Sequence, residues 1–367
     1  MTLKIPVFIA LLGFCAPLLA QADTSKTLQG GGVDVQLLDS LGITNPELQK
    51  KYNEGVRALT ANSYMEAVQR FTEATLLDAS YVNAYYNRGM AFRGLNKSTE
   101  AIADFNKTLE LDPTNHQAAY MKAETFNTDG KFEDAAKAYK QAAEISRTDE
   151  KYSYYEGVAL FQLEKYDEAI AAFDEAIRRK PDYAYALNDR GSAKMMLENY
   201  DGAIQDYSAA VKFDANLHFA YNNLGSVYRK KEDYVNAEKY YSEAIKRKPD
   251  YFIAYNNRGT ARFAQGKYAD ALSDFSKAVQ LNPDYAFAYN NQASVYIKQE
   301  NYTEAVKACD KAISLNGAYT EAFFNRGIAK EMLKDLEGAC ADWQDAFILG
   351  SENAEQYINS PACAGQN

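Results

Sequence analysis

The chain has 367 residues, of which 47% are hydrophobic and 25% are charged, and its formal net charge is −10. This balance describes a soluble acidic protein and argues against nucleic-acid binding, which would call for a basic stripe. Length alone would suggest two or more domains.

Residues 1–22 have the features of a secretory signal peptide. Lys4 is the only charge before a short apolar run, and Ala20 and Ala22 place small residues at a cleavage site. The run is too short to span a bilayer. We therefore expect cleavage after Ala20 or Ala22 and export, with a bacterial periplasm or cell surface as the first choice and outer-membrane association allowed. A lipoprotein signal ending at Cys15 and an uncleaved anchor are the alternatives.

Residues 23–47 are expected to form a linker and an N-terminal cap. The three glycines at 30–32 make a flexible segment. The apolar residues within 33–41 are expected to pack as a short cap on the segment that follows. No transmembrane segment is expected in the mature chain.

From Leu48 to Asn353 a pattern recurs every 34 residues, nine times and without an insertion. With Leu48 as position 1, position 8 is glycine or alanine, position 20 is always alanine, and position 24 is aromatic in all repeats but one. Small residues let two helix axes approach closely, and the aromatic residues fill the space beside them. The alanines at position 20 are Ala67, Ala101, Ala135, Ala169, Ala203, Ala237, Ala271, Ala305 and Ala339.

Each repeat carries two stretches of helical apolar spacing, at positions 1–14 and 18–31, with a short turn between them. This pattern resembles the tetratricopeptide repeat family over about five-sixths of the chain. The resemblance implies an all-α fold, an α-solenoid in the form of a right-handed superhelix. It would comprise nine 34-residue helix-turn-helix units over 48–353, then a C-terminal capping helix and tail over 354–367. Such an array is stabilised between neighbouring units rather than around one core.

A charge pair is repeated within the pattern. Position 7 is arginine in four repeats, and the same four have aspartate at position 23. Antiparallel helices place these two positions opposite each other, so we predict a salt bridge within each unit; the alternative is that the arginines bind an acidic ligand. The predicted pairs are Arg88–Asp104, Arg190–Asp206, Arg258–Asp274, Arg326–Asp342 and, with the charges exchanged, Glu54–Arg70.

In tetratricopeptide repeats the first helices line a concave surface through positions 2, 5, 6, 9, 12 and 13. On this resemblance, the later repeats present apolar residues at position 2 and asparagines at positions 5 and 6. A row of carboxamides can pair with an extended peptide backbone, and adjacent aromatic residues can serve as anchors. The alternative is that the asparagines only cap or orient neighbouring helices. The predicted partner-binding groove is Tyr185, Asn188, Phe219, Asn222, Asn223, Ile253, Asn256, Asn257, Phe287, Asn290 and Asn291.

Cysteine and histidine usage indicates no metal, cofactor or catalytic site. Cys340 and Cys363 are candidates for a disulfide in an oxidising compartment, with two free thiols as the alternative. Cys309 takes the aromatic position 24, so it is expected to be a buried thiol. No nucleophile lies beside a base in a recognisable arrangement.

The sequence therefore favours a non-enzymatic scaffold or adaptor, which binds a peptide segment or a helix of a partner protein in the concave groove. It favours no cofactor and no nucleic acid. A glycan or cell-wall binding module, or an accessory subunit of an envelope enzyme complex, is the alternative. The partner, the pathway and the oligomeric state are left open.

Overall fold

The computed structural model describes residues 45–360 and Cys363. The predicted signal peptide at 1–22 and the linker and cap up to residue 44 lie outside the described residues. The tail beyond Ser360, apart from Cys363, also lies outside them.

The described residues belong to two compact units, which divide after Phe213. The first unit contains ten helices, which pack as consecutive antiparallel pairs. They are α1 Pro46–Thr60, α2 Tyr64–Leu77, α3 Val82–Gly94, α4 Ser98–Leu111, α5 His116–Thr128, α6 Phe132–Ile145, α7 Glu150–Gln162, α8 Tyr166–Arg179, α9 Ala184–Met196 and α10 Tyr200–Phe213.

The second unit contains four further helix pairs and one short terminal helix. Its helices are α11 His218–Lys230, α12 Tyr234–Arg247, α13 Phe252–Ala264, α14 Tyr268–Leu281, α15 Ala286–Lys298, α16 Tyr302–Leu315, α17 Thr320–Met332, α18 Leu336–Ile348 and α19 Glu352–Ile358. The described part of the chain has no strand, and its fold is an all-α solenoid of repeats.

Close approach of the two helices explains the small residues of the repeat. Ala203, Ala237 and the other alanines at position 20 are fully buried. At position 8, a Cβ added to Gly225 would come within 2.7 Å of the Tyr241 ring. A glycine inside a helix costs about 1 kcal/mol of helix propensity relative to alanine. It is retained here because the aromatic ring of the second helix lies directly against the backbone of the first.

The turn inside each repeat is also periodic. Position 15 has a positive φ in all nine repeats, which is the left-handed conformation that glycine adopts most easily. Glycine occurs there only at Gly130 and Gly266, and four repeats have glutamate instead. The nine residues are Asn62, Asn96, Gly130, Glu164, Glu198, Glu232, Gly266, Glu300 and Lys334.

The terminal helix α19 covers the end of the last helix pair. Ala354 is fully buried, and the Tyr357 ring lies 4.6 Å from Trp343 and 5.2 Å from Phe324, measured between ring centroids. These contacts take the side chains of Trp343 and Phe324 out of water, which is the role of a cap in a repeat array.

Candidate partner-binding surface

The asparagines at positions 5 and 6 connect consecutive repeats. In the second unit, three position-6 amides each donate a hydrogen bond to the position-5 carbonyl oxygen of the preceding repeat. These bonds are Asn257 Nδ2 to Asn222 Oδ1 at 3.0 Å, Asn291 Nδ2 to Asn256 Oδ1 at 2.9 Å and Asn325 Nδ2 to Asn290 Oδ1 at 2.9 Å. We call this series the asparagine row.

The burial of the row does not fit the predicted ligand-gripping role. Its six side chains are at most 3% exposed. The amide nitrogens of Asn222 and Asn290 lack a hydrogen-bond partner, but both are buried, so an extended ligand reaches them only if the repeats separate. The predicted site residues Asn188 and Asn223 are buried as well. The row therefore acts as an internal connection between repeats, which is the alternative that the sequence left open.

The position-2 side chains remain accessible. Phe219, Ile253 and Phe287 of the second unit are half-buried, and we call these three residues the position-2 stripe. In the first unit, the predicted site residue Tyr185 is 40% exposed. The Phe287 ring packs edge-on against Tyr319, the last residue of the same repeat, with ring centroids 5.2 Å apart, so this contact fixes its orientation.

Exposed lysines accompany the position-2 stripe on the same helices. Position 13 follows position 2 by eleven residues, or about three helical turns, so the two positions share one helix face. Lys230 and Lys298 occupy position 13 and are exposed. The accessible face of the second unit therefore combines apolar side chains at one end of the helices with positive charge at the other.

The five predicted charge pairs are confirmed. Arg258 Nε and Nη2 donate to the two carboxylate oxygens of Asp274 at 2.9 and 2.7 Å. The other three Arg–Asp pairs have the same two-bond geometry, and Arg70 Nε lies 3.3 Å from the Glu54 carboxylate. Because each of the four aspartates is nearly fully buried, these arginines are neutralised within the protein and do not present free charge to an acidic ligand.

A second buried polar group replaces the asparagine row in the first unit. Tyr154 at position 5 donates to Asp189 Oδ2 at 2.9 Å. Tyr139 donates a hydrogen bond to Glu124, and burial raises the pKa of the Glu124 carboxyl above its ordinary value. Glu124 was not predicted from the sequence. It could have been found because it stands at position 9, where repeats five to eight have serine or threonine.

Cys340 and Cys363 form a disulfide, with their Cα atoms 5.6 Å apart. The bond attaches Cys363, which follows α19, to helix α18. Cys309 is a buried free thiol, and burial raises the pKa of its sulfur well above the ordinary value.

Comparison with known families decides the identity. The sequence model described as tetratricopeptide repeat matches residues 52–116, 154–217 and 222–286, and a second model of that description matches 286–319. Together these matches cover more than half of the chain. The chain belongs to the tetratricopeptide repeat family. A further model, described as anaphase-promoting complex, cyclosome, subunit 3, matches residues 95–176. No curated protein matches the chain.

Solved structures of tetratricopeptide repeat proteins share the fold. One from Parabacteroides merdae ATCC 43184 is 19% identical, with a TM-score of 0.52, over 69% of this chain and 97% of that one. The C-terminal part of another, from Cytophaga hutchinsonii, is 18% identical, with a TM-score of 0.52, over 66% of this chain and all of that one. The APC/C hetero-tetramer Cut9–Hcn1 matches at 15% identity and a TM-score of 0.55, over 86% of this chain and 76% of that one.

Tetratricopeptide repeat proteins are generally non-enzymatic interaction scaffolds, and the family match supports a protein-interaction role for this chain. No group of three or more histidine, cysteine, aspartate or glutamate side chains among the described residues could hold a metal ion. No helix in the same part of the chain has the length and apolar character to cross a membrane.

Proposed function

We propose that this tetratricopeptide repeat protein is a non-enzymatic scaffold that binds a peptide segment or a helix of a partner protein along the position-2 stripe. The observation that carries the proposal is the accessibility of Phe219, Ile253 and Phe287 on three successive repeats, while the neighbouring polar side chains are buried. Apolar and aromatic side chains repeated along one face are suited to anchor an extended segment or one side of a helix.

The partner segment is expected to be partly acidic. Lys230 and Lys298 lie on the same helix face as the stripe, so acidic side chains on the partner would be attracted to them, while apolar side chains contact the stripe. This expectation replaces the predicted backbone pairing with asparagines.

The scaffold is proposed to act outside the cytoplasm, in a bacterial periplasm or at the cell surface. The signal-like residues 1–22 support export. The Cys340–Cys363 disulfide also supports it, because such bonds persist in oxidising compartments.

Intact mass spectrometry of the protein from its native envelope tests export and the disulfide together. We expect a chain that begins after Ala20 or Ala22, and whose mass rises by two hydrogens on reduction. A Cys363→Ser variant is the control, because it cannot form the bond and its mass should not change on reduction. A chain that starts at residue 1, or one that carries lipid on Cys15, would contradict the proposed processing.

Affinity capture from envelope extract tests the binding surface. The wild-type chain is compared with a Phe219→Ser, Ile253→Ser double variant and with Val235→Ser, which changes a 69% exposed apolar residue on the second helix of a repeat. We expect the double variant to lose about ten-fold or more of a specific protein partner, since each apolar anchor contributes about 1 kcal/mol or more. The Val235→Ser variant should retain the partner.

Equal capture by the wild type and the double variant would contradict the proposed surface. A second candidate function is a glycan or cell-wall binding module, favoured by the half-buried aromatic rings of Phe219 and Phe287. Retention of cell-wall polymer without any protein would support that candidate instead. Co-capture of a complete envelope enzyme would indicate an accessory subunit.

A further inference from the structure

A trough runs along the first unit, on helices that do not carry the position-2 stripe. It lies between α6 and α8, and α7 contributes residues to both of its parts. Two cavities of about 400 and 460 Å³ make up the trough, and they share Lys140, Glu156 and Glu175. Cavities of this size accommodate small ligands.

Ser153 lines the smaller cavity with an unsatisfied hydroxyl. Its side chain is 1% exposed, and Oγ has no hydrogen-bond partner. In other repeats, helical serines such as Ser192 and Ser226 donate to the carbonyl four residues earlier. The corresponding carbonyl here, Asp149 O, accepts from Arg179 Nη1 at 2.8 Å instead. A buried hydroxyl without a partner is unfavourable. Because Ser153 lines the cavity, a ligand held there can supply the missing hydrogen bond.

Glu156 is the second unusual side chain of the cavity. It stands at position 7, where four other repeats have an arginine paired with aspartate, and its own repeat has Ala172 at position 23. No salt bridge or hydrogen bond joins Glu156 to another described residue. Burial raises its pKa to about 7, so near neutral pH the carboxyl group is protonated in a large fraction of molecules and can donate a hydrogen bond.

The charges around the cavity favour an anion. Lys140 and Arg147 line it without an ion-pair partner among the described residues. Arg178 and Arg179 both pair with one carboxylate, that of Glu175. With Glu156 protonated, the lining cations outnumber the charged carboxylates, which are Glu144 and Glu175.

We propose that this cavity binds an oxyanion, such as the carboxylate, sulfate or phosphate group of a small ligand, between Lys140, Arg147 and the Ser153 hydroxyl. The site is separate from the proposed partner-binding surface and does not depend on it. Protonated Glu156 donates to the anion, whereas ionised Glu156 repels it, so binding weakens as the pH rises.

The groups that act on Glu156 come from both helices that flank α7. Lys140 and Arg179 favour its ionised form, whereas Glu144 and Glu168 oppose that form. Desolvation is the largest influence and exceeds that of the two cations. The carboxyl proton is therefore lost over the range around pH 7 rather than near the ordinary value for glutamate.

The test uses sulfate, which carries the same charge at pH 6 and pH 8. The full chain is labelled with ¹⁵N-serine, and the Ser153 amide signal is assigned by its absence in Ser153→Ala. At constant ionic strength, we expect a saturable shift of this signal. The half-saturating sulfate concentration should rise about five-fold or more in Lys140→Gln. The control Lys212→Gln changes an exposed lysine on α10 of the same unit and should match the wild type.

The pH dependence tests the role of Glu156 separately. Between pH 6 and pH 8 the protonated fraction of a group with a pKa of about 7 falls about ten-fold, so sulfate binding by the wild type should weaken by about that factor. In Glu156→Gln the change should be no more than about two-fold, because a neutral amide donates at both pH values. A Ser153 signal that does not saturate, or equal effects of Lys140→Gln and Lys212→Gln, would overturn the site. A ten-fold pH effect that persists in Glu156→Gln would overturn the role of Glu156.

Discussion

Replacing Asp274 by alanine is expected to lower the free energy of unfolding by about 3–5 kcal/mol. The Asp274 carboxylate accepts two hydrogen bonds from Arg258 and a third from Arg262 Nη1 at 2.9 Å, and its side chain is only 4% exposed. Without it, two partly buried guanidinium groups lose a common counter-charge. Urea unfolding of the full chain measures the effect.

Asp310→Ala is the matched control for that measurement. Asp310 also pairs with an arginine, since its Oδ1 lies 2.5 Å from Arg326 Nη1, but its side chain is 53% exposed. An exposed ion pair of this kind contributes at most about 1 kcal/mol. If Asp274→Ala lowers the free energy of unfolding by no more than Asp310→Ala does, then burial adds nothing to the stability that the charge pair contributes.

The second large effect is expected in the asparagine row. Asn291→Leu should cost about 2 kcal/mol, because Asn256 Oδ1 would remain buried without the hydrogen bond that Asn291 Nδ2 now donates. The adjacent Gln292→Leu is the control. The Gln292 amide donates to Ser276 Oγ in an exposed position, and the change should alter the free energy of unfolding by no more than about 0.5 kcal/mol. Equal costs for the two variants would contradict a structural role for the row.

Much of the fold could be predicted from the sequence because its cause is local and repeated. Alanine at position 20 and an aromatic residue at position 24 specify how two helices cross, and both recur at a fixed interval. The charge pairs could be predicted for the same reason. Arg258 and Asp274 lie at equal distances from one turn, so the antiparallel pairing of two adjacent helices brings them together.

The environment of the asparagines could not be predicted in the same way. The partner of Asn291 is Asn256, which lies 35 residues earlier on a helix of the preceding repeat. Whether such a side chain meets water, a ligand or another amide depends on the rotation between repeats, and the composition of one repeat does not specify that rotation. An asparagine is compatible with all three surroundings because it both donates and accepts hydrogen bonds.

The trough residues also depend on contacts between repeats. Glu156 is recognisable in the sequence as a departure from arginine at position 7. The unsatisfied Ser153 hydroxyl is not recognisable in the sequence. It arises because Arg179, on the next helix, donates a hydrogen bond to the carbonyl of Asp149. Departures from the repeat pattern thus indicate candidate functional residues, and the structure shows which polar groups surround them.

A double-mutant cycle on Asn256 and Asn291 tests most directly whether the asparagine row joins the repeats to each other. Urea unfolding is measured for Asn256→Leu, Asn291→Leu and the double variant. Replacing both partners removes the buried unpaired group that each single change leaves, so the double variant should cost at least about 1 kcal/mol less than the sum of the single costs. If the cost of the double variant equals the sum of the single costs to within about 0.5 kcal/mol, the two side chains are independent. That result would contradict the claim that the asparagine row joins the repeats.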